Sequence, residues 1–245
     1  MWAAFAAAGS VVMLATDPRS RVLATNTAML ALAVSLSSVV IGAPLAFLLA
    51  RTDVVGRRVA GVVLMTLLLL PLYLQAAAWQ AAFGVTGWFT ASTGGAPILD
   101  GWRGAIAIHV LAAIPWVVVI TAVGLRLAEP ELEEEALLDA TPVGVFRRVT
   151  LRRAADAAAT AALWVAVSVA GEMTVTDLFQ IRTYAEEIYT QFALGDDVSD
   201  ASWKLFPSLL AIMWAIIAGL VVILRLMPKD RHPTQQQRRV FRLGP

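Results

Sequence analysis

Asn26 to Ala50 runs for the width of a bilayer without one charged side chain, and any fold of this chain must accommodate that stretch first. In lipid no water is present to satisfy backbone N–H and C=O groups, so such a stretch must be a helix that closes its own hydrogen bonds. The stretch is not isolated. Val59–Phe83, Gly104–Leu127 and Trp203–Leu226 are of similar length and character, and Ala154–Gly171 is slightly shorter. With 59% hydrophobic residues and a mean hydropathy of +0.73, the chain is too apolar for an ordinary soluble domain. The expected fold class is an all-α integral membrane protein.

Taken in order, the chain reads as about six spans. Trp2–Ala15 is a first, short span, which Asp17-Pro18-Arg19 ends. Nothing basic precedes it, so a cleavable signal peptide is not expected. Residues 1–25 form this span and an outer loop, and residues 26–227 are the core. Residues 228–245 are a basic, Gln-rich tail expected to be disordered and to attract anionic membrane lipid. Pro71 breaks the third span, and Pro44 and Pro115 lie within the second and fourth. Gly84 to Arg103 is a Gly-, Ser- and Thr-rich loop whose Trp88 and Trp102 suit a membrane interface.

Orientation comes from the basic residues. In a six-span arrangement, 14 of the 19 Lys and Arg fall on one side, including Arg51, Arg57, Arg58, Arg147 and Arg148. The positive-inside rule makes that side cytoplasmic, with both termini and the loop after the fourth span.

That loop, Glu129 to Arg153, is the longest strongly charged segment. Pro130 fits a first helical turn, and Glu131, Glu133, Glu134 and Glu135 follow at the positive end of the helix it opens. Leu132, Ala136, Leu137 and Ala140 share an apolar side. Thr141-Pro142 resets the chain, since Pro disfavours helix in the residue before it and Thr can cap a second helix. The predicted order is helix, turn, helix. An amphipathic loop lying on the membrane surface is the plainer reading of the same pattern.

The run EEEALLDATPVGVFRRVTL resembles the cytoplasmic "EAA" loop of permease subunits of binding-protein-dependent ABC importers, the MetI-like permease family. The matching positions are Glu134 or Glu135, Ala136, Leu138, Asp139, Pro142, Phe146, Arg147, Val149, Thr150 and Leu151. Ala140 stands where the family usually has Gly, and Arg152 where Pro commonly follows. The resemblance implies a coupling helix between spans four and five, docked on a separate ATP-binding subunit. Glu131, Glu134, Glu135, Ala136, Leu138, Asp139, Ala140, Pro142 and Phe146 are the coupling candidates. It also implies a second permease domain, as homodimer or sister subunit, an extracytoplasmic substrate-binding protein, and an inner-membrane location. The pattern Thr183-Tyr-Ala-Glu-Glu-Ile-Tyr189 resembles, more loosely, the second half of ferric-iron permeases.

Other chemistry is largely excluded by what the sequence holds. A net charge of +1 argues against a nucleic-acid partner, and zero Cys removes disulfides and thiolate metal sites. A Walker A loop needs Gly-Lys-Ser/Thr, but Lys204 and Lys229 follow Trp203 and Pro228, so the chain is not expected to be an ATPase. No cofactor and no metal site are expected. Three residues are candidates for the translocation path. His109 lies in the fourth span, where a hydrogen-bonded packing role competes with a ligand role. Glu172 and Asp177 stand where the fifth span leaves the membrane, where interfacial solvation is the alternative. Asp156 is expected to pair with Arg152 or Arg153. The contrasting function is a non-transporting membrane scaffold or enzyme whose loop binds a soluble partner.

Overall fold

Proline is tolerated in a helix's first turn, and Pro18 lies in the longest helix among the described residues. The computed structural model describes residues 18–126, 138, 141, 144 and 151–194. Helix α1 covers Pro18–Arg51. The outer loop expected up to residue 25 is therefore helical from residue 18 onward. The first span, Trp2–Ala15, the sixth, Trp203–Leu226, and the tail lie outside the described residues.

Helix α2 (Arg57–Leu69) and helix α3 (Leu72–Phe83) replace the single third span. Leu70 is extended at φ −78° and ψ 121°, as a residue before proline prefers. Pro71 then starts α3, its carbonyl accepting from the N–H groups of Leu74 and Gln75 at 3.0 and 3.2 Å. Pro71 thus separates two helices. Helix α4 (Trp88–Thr93) forms inside the loop expected between residues 84 and 103, and the Leu99 N–H closes that loop on the Phe83 carbonyl at 3.1 Å. Phe83 stacks on Trp79 at 5.7 Å and lies tilted against Phe89 at 5.4 Å, an aromatic cluster of the kind found at membrane interfaces.

Helix α5 (Gly101–Arg126) covers the stretch expected as the fourth span, and helix α6 (Leu151–Ala170) the stretch expected as the fifth. Pro44 and Pro115 sit inside α1 and α5 without ending them, each removing one ladder bond. Two short helices follow, α7 (Thr174–Leu178) and α8 (Tyr184–Ala193). Among the described residues, α1 and α5 are long and apolar enough to cross a membrane, and α2 with α3 counts as a third crossing if the broken pair is one span.

The described residues form two compact units. In the unit of residues 35–70, 111–126 and 151–165, Ala46, Leu64 and Val118 are buried, with Leu45, Leu49, Ile114 and Ala122 packed against them. These join α1, α2 and α5. Helices α5 and α6 meet where both are small: a Cβ on Gly124 would lie 2.2 Å from the Cβ of Ala157. Close backbone approach through small residues is how helices associate in lipid, where an apolar surface alone gives no preference for a neighbour. Leu32, Leu36 and Val40, four positions apart on α1, are 60–72% exposed, while Ser35 and Ser38 are buried.

The Gly124–Ala157 contact yields a paired prediction. Gly124→Ala should lower the melting temperature in detergent, at an overpacking cost of about 1–3 kcal/mol. Ala157→Gly in the same chain should recover much of that loss. Equal melting temperatures for Gly124→Ala and the native chain would show that the two helices do not meet there.

Candidate functional site

The site lies in the other unit, formed among the described residues by 18–34, 71–110 and 166–194. His109 sits on α5, and its side chain is 2% exposed. Its Nδ1 lies 2.8 Å from the carbonyl of Ala105, one turn back. Its Nε2 lies 3.2 Å from Oε2 of Glu172, whose side chain is 16% exposed. The sequence offered packing or ligand binding for His109, and solvation or function for Glu172. The structure brings these two candidates together. Asp177, the third, is exposed on α7 and stands outside this bonded pair.

Glu172 also builds the local backbone. Helix α6 ends at Ala170, and Glu172 Oε1 then accepts the Thr174 N–H at 2.6 Å and Oε2 the Val175 N–H at 3.0 Å. These are orphan donors at the start of α7, which a carboxylate satisfies in both hydrogen bonding and dipole. The short helix ends in a left-handed residue, Gln180 at φ 55°. The Gln180 N–H donates to the Asp177 carbonyl at 2.9 Å and the Ile181 N–H to the Thr176 carbonyl at 2.8 Å, a Schellman ending usually made with glycine.

Two contacts seat α7 on α5. One is the His109–Glu172 bond. The other is the Phe179 ring, which lies over Gly104; a Cβ there would meet Phe179 Cε1 at 2.3 Å. The segment beyond is fastened to the start of α1. The Tyr184 N–H donates to Thr27 Oγ1 at 3.1 Å, and the Tyr184 hydroxyl donates to the Ser20 carbonyl at 3.2 Å. Asn26 donates to the Arg182 carbonyl at 2.9 Å, and Arg19 pairs with the buried carboxylate of Glu187. Inside the segment, the Thr183 hydroxyl donates to that of Thr176 at 3.5 Å.

Sequence reasoning missed these fastening residues, Arg19, Asn26, Thr27 and Tyr184. The partners in the Tyr184–Thr27 bond are 157 positions apart, so no local pattern could pair them. Polar positions inside an apolar helix were the available signal.

Burial pushes the Glu172 carboxyl up, but the hydrogen bonds from His109 and Val175, the positive charge on His109 and the bond from Thr174 together hold it below its ordinary value of 4.5. Ionised Glu172 therefore stabilises the folded protein above 4.5, and that contribution disappears as pH falls through the lowered value.

Of the loop between α5 and α6, residues 138, 141 and 144 are described. Leu138 is helical and 84% exposed. Thr141 Oγ1 accepts the Gly144 N–H at 3.3 Å, the N-cap bond expected of it, and Gly144 is helical. Glu131, Glu134, Glu135, Ala136, Asp139, Ala140, Pro142 and Phe146 lie outside the described residues. So do the side chains of Arg152 and Arg153, the expected partners of Asp156.

Residues 38–227 match the family described as the binding-protein-dependent transport system inner membrane component. The chain belongs to that family. It is a MetI-like permease of an ABC importer and a multi-pass inner-membrane protein, and the contrast between transport subunit and non-transporting scaffold is resolved for transport. Among solved structures, it is similar to a chain of "Inward facing conformations of the MetNI methionine ABC transporter", at 18% identity and a TM-score of 0.67. The match covers 87% of the present chain and 100% of the other, and the fold is therefore shared. The comparison with curated proteins found no match.

The acid side of the permease is testable. The fall in melting temperature between about pH 6 and about pH 3 should be smaller in Glu172→Gln than in the native chain, because the amide has no proton to gain. Identical falls would show that Glu172 is not held ionised by its neighbours.

Proposed function

We propose that this permease forms half of a translocation path and takes its driving force from a separate ATP-hydrolysing subunit through the loop of residues 129–153. The second half of the path is another copy or a sister permease, and an extracytoplasmic binding protein delivers the substrate. The observation that carries the reading is the loop itself. Its sequence resembles the coupling loop of the family, Leu138 is helical and exposed, and Thr141 caps the start of the next helical turn. ATP binding closes the ATPase dimer, the coupling helices move with it, and the path alternates its opening. Leu138 is the apolar anchor, with Glu131, Glu134, Glu135, Ala136 and Asp139 around it, and Ala140, Pro142 and Phe146 set the turn and the second helix. His109 and Glu172 belong to the outer part of the path, with Asp177 near them in sequence.

The substrate class is a small ion or solute. Ferric iron rests on the resemblance of residues 183–189 alone, and methionine is said of the similar solved transporter.

Glu135→Lys and Leu138→Asp should each abolish uptake and reduce ATPase co-purification about tenfold or more, since an unpaired buried partner costs about 1–3 kcal/mol. Arg147→Ala with Arg148→Ala should retain the ATPase. If the order is reversed, the loop is a lipid-surface element and the coupling assignment is wrong.

Both termini and this loop are cytoplasmic in the proposal, as the distribution of Arg and Lys requires. In the Cys-free chain, a cysteine at exposed Ser92 should react with an impermeant thiol reagent added to intact cells, and one at exposed Gly56 should not. Labelling at Gly56 would invert the topology.

A further inference from the structure

The two halves of the segment after α6 are fastened in different ways. The far half is held to α1 by polar bonds. The Tyr184 N–H donates to Thr27 Oγ1 between buried partners, the Tyr184 hydroxyl donates to the Ser20 carbonyl, and Asn26 donates to the Arg182 carbonyl. Glu187, whose side chain is 3% exposed, is paired with Arg19. Parting α8 from α1 would leave a buried carboxylate and a buried backbone N–H without these partners, the costliest kind of loss where water is scarce.

The near half is held mainly by apolar contact. Helix α7 buries Val175, and Phe179 just beyond it lies over Gly104 of α5. The polar groups of α7 are satisfied from within. Glu172 accepts the N–H groups of Thr174 and Val175, and the Thr176 hydroxyl donates to the Met173 carbonyl at 2.9 Å. Those bonds travel with α7 if it moves. Among the described residues, the polar tie it would give up on α5 is the one between His109 and Glu172.

The change from one fastening to the other falls between two neighbouring residues. The Ile181 N–H, bound to the Thr176 carbonyl at 2.8 Å, ties the chain back to α7. The next carbonyl, that of Arg182, is already tied to α1. Residues 181–183 are not helical, so a joint there has no helical ladder to break. The contact that crosses it, from the Thr183 hydroxyl to that of Thr176, is 3.5 Å long and at the limit of a hydrogen bond.

We infer that α7 is a lid on α5, hinged between Ile181 and Arg182, with α8 as its fixed post on α1. Lifting the lid uncovers the part of α5 that carries Gly104 and His109, while α8 stays in place. Helix α3 also packs against α7 and parts from it in the same movement. The lid deepens the proposed function, and its role in opening the outer part of the path rests on that reading. Its mechanics rest on the two fastenings alone.

Hydrogen exchange of the native chain in lipid reads the two halves separately. A five-residue helix has no stability of its own once unseated, so lifting the lid exposes its amides to exchange. After correction for intrinsic rates, amides of residues 174–181 should exchange about tenfold faster than those of 186–191, as expected of a locally opening unit. Gly104→Ala puts a methyl group against Phe179 without altering the sequence of the segment. It should speed exchange at 174–181 by a further factor of about ten and leave 186–191 within about twofold. Phe179→Leu, which trims the same contact from the other side, should give the same pattern if Gly104→Ala does not fold. Arg19→Ala should speed exchange at 186–191. Equal native rates in the two halves, or a rise in both halves together in Gly104→Ala or Phe179→Leu, would show one rigid segment without a joint. Faster native exchange at 186–191 would exchange lid and post and overturn the inference as well. The measurement needs neither ATPase nor substrate. The expected exchange pattern in a chain that co-purifies with no ATPase would count against the proposed function and leave the lid standing.

Discussion

Lipid outside the helices removes the usual reason for apolar side chains to turn inward. Leu32, Leu36 and Val40 of α1 gain as much facing hydrocarbon as they would facing α5, and they are exposed. Cohesion in this permease comes instead from close approach and from hydrogen bonds that lipid cannot replace. Gly124 and Ala157 let α5 and α6 touch backbone to backbone. Thr27, Ser35 and Ser38 lie on the buried side of α1 beside Leu23, Leu30 and Val34.

The same logic makes the segment after α6 a polar structure held on an apolar frame. Its start is Glu172, which caps α7 with one set of bonds and reaches His109 with another. Its further half is tied to α1 by Tyr184, Arg182 and Glu187. Because several of these bonds involve charged partners, each is stronger than a neutral one and costs more to leave half-made. A transport protein gains from such fastening, since a segment held by a few discrete bonds has two distinct states rather than a continuum.

Much of this was legible along the chain. The spans of α1 and α5 follow from uninterrupted apolar length, and the helix break from Pro71. The cap at Thr141 follows from a Thr before Pro, and the family from some twenty residues of the charged loop. Where the reading slipped, the cause was local ambiguity. The residues of the expected outer loop from 18 onward carry no turn signal against helix, and the long polar stretch from 84 to 103 hid the six-residue helix α4. His109, Glu172 and Asp177 all stood out as ionisable residues near a membrane, but nothing in their spacing distinguished the two that pair from the one that does not.

The sequence by itself determined that the chain is a membrane protein built of helices, which loop carries its charge, and which family it belongs to. Those properties depend on the length of apolar runs and on contiguous motifs, and both are one-dimensional. Only the tertiary structure decided that Glu172 meets His109, that Phe179 lies over Gly104, and that Tyr184 binds Thr27. Such pairings join residues as much as 157 positions apart through bonds of about 3 Å. Bonds of that kind depend on how helices are placed side by side, which no periodicity along a single helix encodes.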